Sequence, residues 1–202
     1  MKIKWFLVPA LAIVLSVGTL PAPSPAFASK ITDDLRSAID KVIQIVANGQ
    51  YKNDKRTRRK LMREAIDSHF NYEQMSMRSL ANNWKRRTPE ERKEFVKLFG
   101  KLLENSYASK IESYSNETIE YVDEIVKGKY ALIKTRINRK EGATDVDYKL
   151  INQRGRWQIY DFVIEGVSMI KNYRSQFNRI IKKESYNALL DRLTKKIVDL
   201  ES

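Results

Sequence analysis

The sequence contains no cysteine among its 202 residues. This absence excludes disulfide bonds, thiolate ligands for a metal ion and a lipid anchor on an N-terminal cysteine. Histidine is almost absent as well, because His69 is the only one. A Ser-His-Asp hydrolase would have to use His69, and no G-x-S-x-G elbow accompanies it. No carboxylates stand at metal-binding spacing, so we expect neither an enzyme nor a bound metal or other cofactor.

Long apolar runs are also missing, except near the start of the chain. Two lysines precede the uncharged stretch Trp5 to Leu20, and three prolines and the A-x-A sequence Ala26-Phe27-Ala28 follow it. These are the three parts of a secretory signal peptide. The apolar stretch is shorter than the ~20 residues that a membrane-spanning helix needs. We therefore predict a signal peptide over residues 1–28 that is cleaved before Ser29, and a soluble exported protein.

Positive charge is plentiful. Lys and Arg number 38 against 25 Asp and Glu, so the formal net charge is +13, and it becomes +11 without the two lysines of the signal peptide. Such a charge favours phosphate head groups, lipopolysaccharide, an acidic partner or nucleic acid, and export argues against nucleic acid. The cations form three clusters, which serve either docking or solubility: Lys52, Lys55, Arg56, Arg58, Arg59, Lys60 and Arg63; Lys85, Arg86 and Arg87; Lys182 and Lys183.

The hydrophobic periodicity changes twice along the chain, from helical to alternating and back. It predicts helices over 31–46, 55–70, 89–114, 168–181 and 185–200, and strands over 118–126, 130–138, 144–151 and 156–164. Thr88-Pro89-Glu90-Glu91 has the residues of a helix start with a capping box. Short glycine-containing turns separate the strands. We predict one α+β domain over 29–202, with a four-stranded antiparallel sheet packed by the N- and C-terminal helices.

An ordered set of motifs covers most of this domain. The longest is Trp157 to Phe177, WQIYDFVIEGVSMIKNYRSQF, and the others are Phe70 to Ser76, Leu80 with Trp84 and Thr88 to Arg92, and Val146 to Leu150. Together they closely resemble the periplasmic phospholipid-binding proteins of the Mla type, the MlaC or toluene-tolerance family. Two positions depart from the family pattern: Ala81 replaces a glycine and Arg92 replaces a glutamine.

The resemblance implies a function and a set of partners. Such a protein is a soluble, monomeric periplasmic carrier with a phospholipid as cargo, and it helps to maintain the lipid asymmetry of the outer membrane. Its partners are an inner-membrane ABC transporter with a ring-forming lipid-binding subunit and an outer-membrane lipoprotein–porin complex. Three alternatives remain open: a carrier of another lipid such as a hopanoid, an exported interaction domain without a ligand, and a hydrolase that uses His69.

The resemblance also implies an apolar lipid cavity between the sheet and the helices. Apolar residues with suitable periodicity are candidates for its lining, although the same periodicity is typical of an ordinary core. The candidates are Met75, Leu80, Phe99, Leu103, Tyr107, Val146, Tyr148, Leu150, Phe162, Ile164, Val167 and Ile170. Arg174 lies inside the longest motif, where it either meets a head-group phosphate or pairs with Asp161 or Glu165. We favour the pairing, because partly buried charges are usually paired.

Overall fold

The computed structural model describes residues 29–113 and 117–201, so the predicted signal peptide lies outside the described residues. Within them, helices come first, then strands, then helices again. The helices are α1 (Lys30–Ala47), α2 (Lys55–Ile66), α3 (Tyr72–Leu80), α4 (Asn82–Lys85), α5 (Pro89–Glu112), α6 (Met169–Lys183) and α7 (Tyr186–Glu201). The strands are β1 (Thr118–Lys127), β2 (Tyr130–Arg139), β3 (Gly142–Gln153), β4 (Arg156–Ile164) and β5 (Val167–Ser168).

The capping residues account for where the first and the longest helices begin. Ser29 Oγ accepts a hydrogen bond from the Ile31 amide (3.1 Å), which satisfies an otherwise free donor of α1. At α5 the predicted capping box is confirmed. The Glu91 amide donates to Thr88 Oγ1 (3.2 Å), and the Thr88 amide donates to Glu91 Oε2 (2.8 Å). These local signals fix the start of α5 independently of tertiary packing.

The sheet has the order β1-β2-β3-β4-β5, and all its neighbouring strands are antiparallel. The α+β class is therefore confirmed, but the prediction of four strands is wrong. The fifth strand exists because Glu165 (φ 48°) and Gly166 (φ 76°) form a two-residue turn. Positive φ at both central residues matches the twist of a tight hairpin, so the chain folds back and Val167 pairs with Ile164.

An aromatic core joins the later helices. Phe99 on α5 contacts Tyr173 and Phe177 on α6 edge-on, with ring centroids 5.1 and 5.3 Å apart. Phe95 stands edge-on to Phe177 at 5.7 Å, and Leu189 of α7 is fully buried in the same cluster. Edge-to-face pairs of this kind stabilise a core by about 1 kcal/mol each beyond the burial of their area. This half of the helical layer is densely filled.

Across residues 29–113 and 117–201, no helix is at once long enough and apolar enough to cross a bilayer.

Candidate functional site: an apolar pocket between helices and sheet

An apolar pocket of about 400 Å³ lies between α1, α2 and α5 on one side and the inner face of the sheet on the other. Its size falls within the range of about 300–1,000 Å³ that is usual for ligand pockets. The helical wall comprises Ile39, Val42, Ile43, Val46, Met62, Ile66, Leu103, Tyr107, Ala108 and Ile111. The wall on the sheet comprises Ile119, Ile137, Thr144, Val146, Tyr148, Phe162 and Ile164, and Phe70 and Tyr72 also contribute.

Strand register places apolar side chains of the sheet side by side in this pocket. Val146 of β3 pairs with Ile164 of β4, and Tyr148 pairs with Phe162 two residues further on. Because side chains alternate between the two faces of a strand, these four residues point to the same face. The Tyr107 ring of α5 stands edge-on to Phe162 at 5.1 Å. Sheet and helix therefore meet through aromatic contact at one end of the pocket.

Charged side chains also line the pocket, and their partial exposure indicates that they mark its opening. Arg63 of α2 donates through Nε to Glu104 Oε2 of α5 (2.6 Å), and the Arg63 side chain is 44% exposed. Arg59 donates through Nε to Glu112 Oε1 (3.2 Å). Lys110 is exposed, with Nζ 5.7 Å from the centroid of the Tyr107 ring. The opening of the pocket is therefore cationic, although its arginines already have carboxylate partners.

The ionisable groups of the pocket respond to burial. Burial raises the pKa of Tyr107 to about 12 and that of Tyr148 to about 12, so both phenols are neutral at physiological pH. Burial also raises the pKa of Glu104, and the Arg63 charge opposes this rise only in part. Tyr107 and Tyr148 therefore bring no charge into the pocket, and the largely buried Glu104 is paired with Arg63.

The twelve candidate lining residues separate into two groups of six. Six of them line the pocket: Leu103, Tyr107, Val146, Tyr148, Phe162 and Ile164. The other six lie elsewhere. Met75, Leu80, Phe99, Leu150 and Ile170 are buried among other core side chains, and Val167 on β5 is 53% exposed. Helical or alternating spacing marks burial, and it does not distinguish a filled core from an open pocket.

The wall formed by α1 and α2 was not among the candidates. Ile39, Val42 and Val46 of α1, with Met62 and Ile66 of α2, face the pocket. The helical spacing of α1 was visible in the sequence, but which surface it covers is a tertiary property. In α2 the cations of the first basic cluster flank two apolar positions and obscure them in the sequence, and in the structure both kinds of residue lie on the buried side of this helix. Arg58 and Arg59 bind Glu112 of α5, while Met62 is buried.

The expected pairing of Arg174 with Asp161 or Glu165 is wrong. Arg174 Nε donates instead to the backbone carbonyl of Arg78 (2.7 Å). The Asp161 carboxylate accepts from Ser168 Oγ (2.7 Å), from the Ile170 amide (3.1 Å) and from Lys149 Nζ (3.3 Å). Asp161 thus anchors the start of α6, and the Glu165 carboxylate accepts from the backbone amide of Asp145 (2.6 Å).

Among the residues that the structure describes, no group of three or more His, Asp or Glu side chains could hold a metal ion. His69 lies in a 3-10 turn, Asp67–His69, that follows α2. It is not among the residues that line the apolar pocket.

The fold and the pocket define a class: an α+β domain in which helices and an antiparallel sheet surround an open apolar pocket with a cationic rim. The family model of the MlaC protein matches residues 36–195, and the chain therefore belongs to the MlaC family. The resemblance drawn from the ordered motifs is confirmed.

Two individual proteins are also similar to this chain. One is the intermembrane phospholipid transport system binding protein MlaC of Haemophilus influenzae, 27% identical over 167 residues, which cover 79% of this chain and 78% of the relative. The other is a phospholipid-binding protein from Ralstonia solanacearum whose structure was solved in complex with a phospholipid. That structure matches with a TM-score of 0.76 at 19% identity, covering 84% of this chain and 98% of the other, so the two share a fold.

Proposed function

We propose that this protein is a periplasmic phospholipid carrier that holds acyl chains in the apolar pocket between α1, α2, α5 and the sheet. The observation that carries the proposal is the pocket itself, which is lined mainly by aliphatic and aromatic side chains in a member of the MlaC family. The names of the two similar proteins support it, because one belongs to an intermembrane phospholipid transport system and the other was solved with a phospholipid.

The physical need for such a pocket follows from the hydrophobic effect. A diacyl phospholipid exposes roughly thirty CH₂ groups, and each costs about 0.8 kcal/mol in water. Free transfer through an aqueous compartment would therefore cost on the order of 25 kcal/mol. An apolar pocket offsets most of this cost, and moving a chain from bilayer to pocket is then nearly neutral. Loading and unloading need no chemical step, so we propose a binding protein and not an enzyme.

The rim of the pocket favours a lipid that carries phosphate. Arg59, Arg63 and Lys110 stand at the opening; each arginine binds its carboxylate through only part of its guanidinium, and the remaining N–H groups can donate to phosphate oxygens. A lipid whose chains fill the pocket would bring its head group to this rim. A terpenoid such as a hopanoid presents no phosphate there, so the rim favours a phospholipid over that alternative.

We further propose that transfer runs between an outer-membrane lipoprotein–porin complex and an inner-membrane ABC transporter with a ring-forming lipid-binding subunit. A carrier that binds with nearly neutral exchange cannot set the direction of transport, since its loaded and empty forms interconvert freely. The partners must then set the direction of transport, and the carrier moves the lipid between them.

Native mass spectrometry of the protein isolated from the periplasm, followed by lipid extraction of the same sample, tests the proposal. A stoichiometric adduct that is extracted as a phospholipid supports the carrier. A fused-ring terpenoid in its place would support the related carrier of another lipid. A clean unliganded mass, together with no uptake of lipid from phosphatidylglycerol vesicles, would refute the proposal and leave an exported interaction domain.

A further inference from the structure

A second group of cationic and aromatic side chains lies away from the pocket, where α3, α6 and two strands meet. We call it the arginine–tyrosine cluster, and it consists of Arg78 on α3, Tyr130 at the start of β2, Tyr160 on β4 and Arg174 on α6. None of these residues lines the pocket. The cluster includes Arg174, the arginine of the longest motif, to which the proposed carrier function gives no role.

Arg78 is held in place by aromatic rings. Its guanidinium carbon lies 4.1 Å from the centroid of the Tyr160 ring and 6.0 Å from that of Tyr130. Stacking on a ring restrains the guanidinium plane and leaves its N–H groups to donate within that plane. The Arg78 Nε is buried and has no hydrogen-bond partner in the described part of the chain. Because Nε is enclosed, a partner from outside would have to bind the terminal nitrogens of Arg78, which is an ordered cation without a carboxylate partner among the described residues.

Other arginines stacked on rings show how this chain usually satisfies such a group. Arg87 lies 4.4 Å from the Tyr186 ring centroid, and its Nη1 donates to the Glu91 carboxylate (3.2 Å), although its Nε, like that of Arg78, is buried without a partner among the described residues. Arg92 lies over Trp84 and donates through Nε to the Trp84 carbonyl (3.1 Å).

Arg36, which lies over Tyr121, is exposed, so water can solvate it. Arg78 is partly buried and, among the described residues, is paired with no carboxylate.

A second guanidinium, that of Arg174, contacts α3 near Arg78. Arg174 Nε donates to the Arg78 carbonyl (2.7 Å), which brings its positive charge to the same turn of α3. No carboxylate among the described residues pairs with Arg174 either. Asp161 follows Tyr160 in the sequence of β4, but its carboxylate accepts from Ser168, Lys149 and the start of α6. Two cations linked to α3, the partly buried Arg78 and the exposed Arg174, therefore have no carboxylate partner among the described residues.

We propose that the arginine–tyrosine cluster is a docking site for an acidic segment of a partner protein, whose Asp or Glu carboxylate binds Arg78 while Arg174 reinforces the charge. The two oxygens of a carboxylate match the N–H groups of the planar guanidinium. A partner's carboxylate would therefore give Arg78 the charge-assisted hydrogen bond that Glu91 gives to Arg87. Arginine and tyrosine are the residues that dominate the energetic centres of protein interfaces.

The character of this surface favours a protein partner over a bilayer. Adhesion to anionic lipid needs several mobile cations close together. The stretch that begins α2 provides these, with Lys52, Lys55 and Arg56 all exposed. In the arginine–tyrosine cluster the donors are few and fixed, Arg78 by rings and Arg174 by a carbonyl. Fixed donors select a partner of matching geometry, which a fluid lipid surface does not offer.

Two-dimensional NMR of the full exported chain, observing the arginine Nε–Hε signals, tests the proposal. The probes are an oligoglutamate peptide, an oligoglutamine peptide of equal length, inorganic phosphate, and phosphatidylglycerol vesicles. We expect oligoglutamate alone to give saturable shifts at Arg78 and Arg174. The Arg78→Gln variant should weaken this binding by about tenfold or more. Arg87→Gln, which changes a stacked arginine that already has its carboxylate, should leave the binding unchanged.

Several results would overturn the docking site. Phosphate that binds as tightly as the peptide would indicate a simple anion site, and vesicles that compete for the same arginines would indicate a membrane surface. Shifts no larger than those of the α2 arginines would indicate unspecific attraction. If Arg78→Gln does not fold, Arg78→Lys replaces it. This variant keeps the positive charge but lacks the planar guanidinium, so it should also weaken binding. Lipid loading should survive in all these variants, so failure here is distinct from failure of the carrier proposal.

Discussion

Replacing Val146 by tryptophan is the most direct test of the pocket. Val146 is nearly fully buried on the central strand β3, and its side chain faces the pocket beside Ile164. A larger side chain at this position can extend into open space, whereas the filled aromatic core around Phe99 leaves no such space. We therefore expect Val146→Trp to occupy the volume that an acyl chain would use.

The size of the effect follows from the methylenes displaced. Tryptophan adds about seven heavy atoms to the valine side chain. If each takes the place of one lipid CH₂, the loss is about 5 to 6 kcal/mol, or roughly four powers of ten in affinity. The pocket of about 400 Å³ is small enough that a loss of this size should abolish stoichiometric loading. Unfolding should be affected far less, by about 1 to 2 kcal/mol, since over-packing costs are modest where space is available.

The assay combines lipid occupancy, read by native mass spectrometry, with transfer of a labelled phospholipid between vesicles. The matched control is Val198→Trp, which makes the same chemical change on α7 at a side chain that is 59% exposed and outside the pocket. Leu103→Trp approaches the same space from α5 and should reproduce the result. Thermal unfolding of all three variants verifies that the fold persists.

Normal occupancy and transfer in both Val146→Trp and Leu103→Trp, with melting temperatures close to that of the unmodified protein, would refute the assignment of this pocket to lipid. Loss of loading in the Val198→Trp control to the same extent would show that the assay responds to tryptophan itself. Only a selective loss in the two pocket variants agrees with the reasoning.

Three further predictions concern the rim, the ion pairs and the backbone. Arg63→Gln should lower the ratio of bound phosphatidylglycerol to phosphatidylethanolamine by about two- to fivefold, because a partly exposed charge pair is worth about 0.5 to 1 kcal/mol. Native mass spectra of the lipid-loaded protein measure this ratio. The control is Lys60→Gln on the same helix but outside the pocket, which should leave the ratio unchanged. Burial alone would raise the pKa of Glu112, but hydrogen bonds from Arg59 and Arg58 outweigh burial and lower the pKa. The ionised Glu112 therefore stabilises the fold at neutral pH, and this stabilisation is lost as the pH falls through the folded pKa. Glu112→Gln should therefore cost about 2 kcal/mol in urea unfolding at pH 7 and much less in acid, and an equal cost at both pH values would contradict the ion-pair account. Ala81→Gly should raise the free energy of unfolding by about 1 kcal/mol, because Ala81 has φ 50° and ψ −121°, a conformation that favours glycine, and a destabilised variant would contradict this strain.

Local signals in the sequence were sufficient to predict much of the fold. The capping box at Thr88 and the alternation in the four long strands depend on neighbouring residues only, and these elements appear close to their predicted bounds, whereas α3 and α4 were not predicted. The fifth strand was missed because the sequence predicts a helix from residue 168 directly after the Gly166 turn, which leaves no room for a strand at Val167–Ser168. The partner of Gly166 in the turn, Glu165, is a non-glycine residue at positive φ, which sequence patterns rarely indicate.

The site was harder to predict than the fold, because the local sequence does not show whether buried side chains pack against each other or enclose an open pocket. Phe99 and Leu103 lie one turn apart on α5, yet Phe99 is enclosed by Tyr173 and Phe177 while Leu103 lines the pocket. The difference depends on what α6 places opposite each residue. Similarly, Val42 and Met62 border the pocket only because α1 and α2 pack together over the sheet, which their own sequences do not specify.

The separation between filled core and open pocket suits the proposed carrier. A carrier must remain folded when it is empty, so its stability cannot depend on the cargo. Here the aromatic contacts among α5, α6 and α7 are complete without a ligand, and buried Asp161 secures the link from β4 to α6. The pocket wall formed by α2 is instead joined to α5 by apolar contact with Ile111 and by two ion pairs at the rim, Arg59 with Glu112 and Arg63 with Glu104. The partly exposed Arg63–Glu104 pair is weak, and even the less exposed Glu112 pair, worth about 2 kcal/mol, contributes less than the burial of several aromatic rings. Opening this wall to a lipid would therefore cost much less free energy than disturbing the frame that holds the sheet and the later helices together.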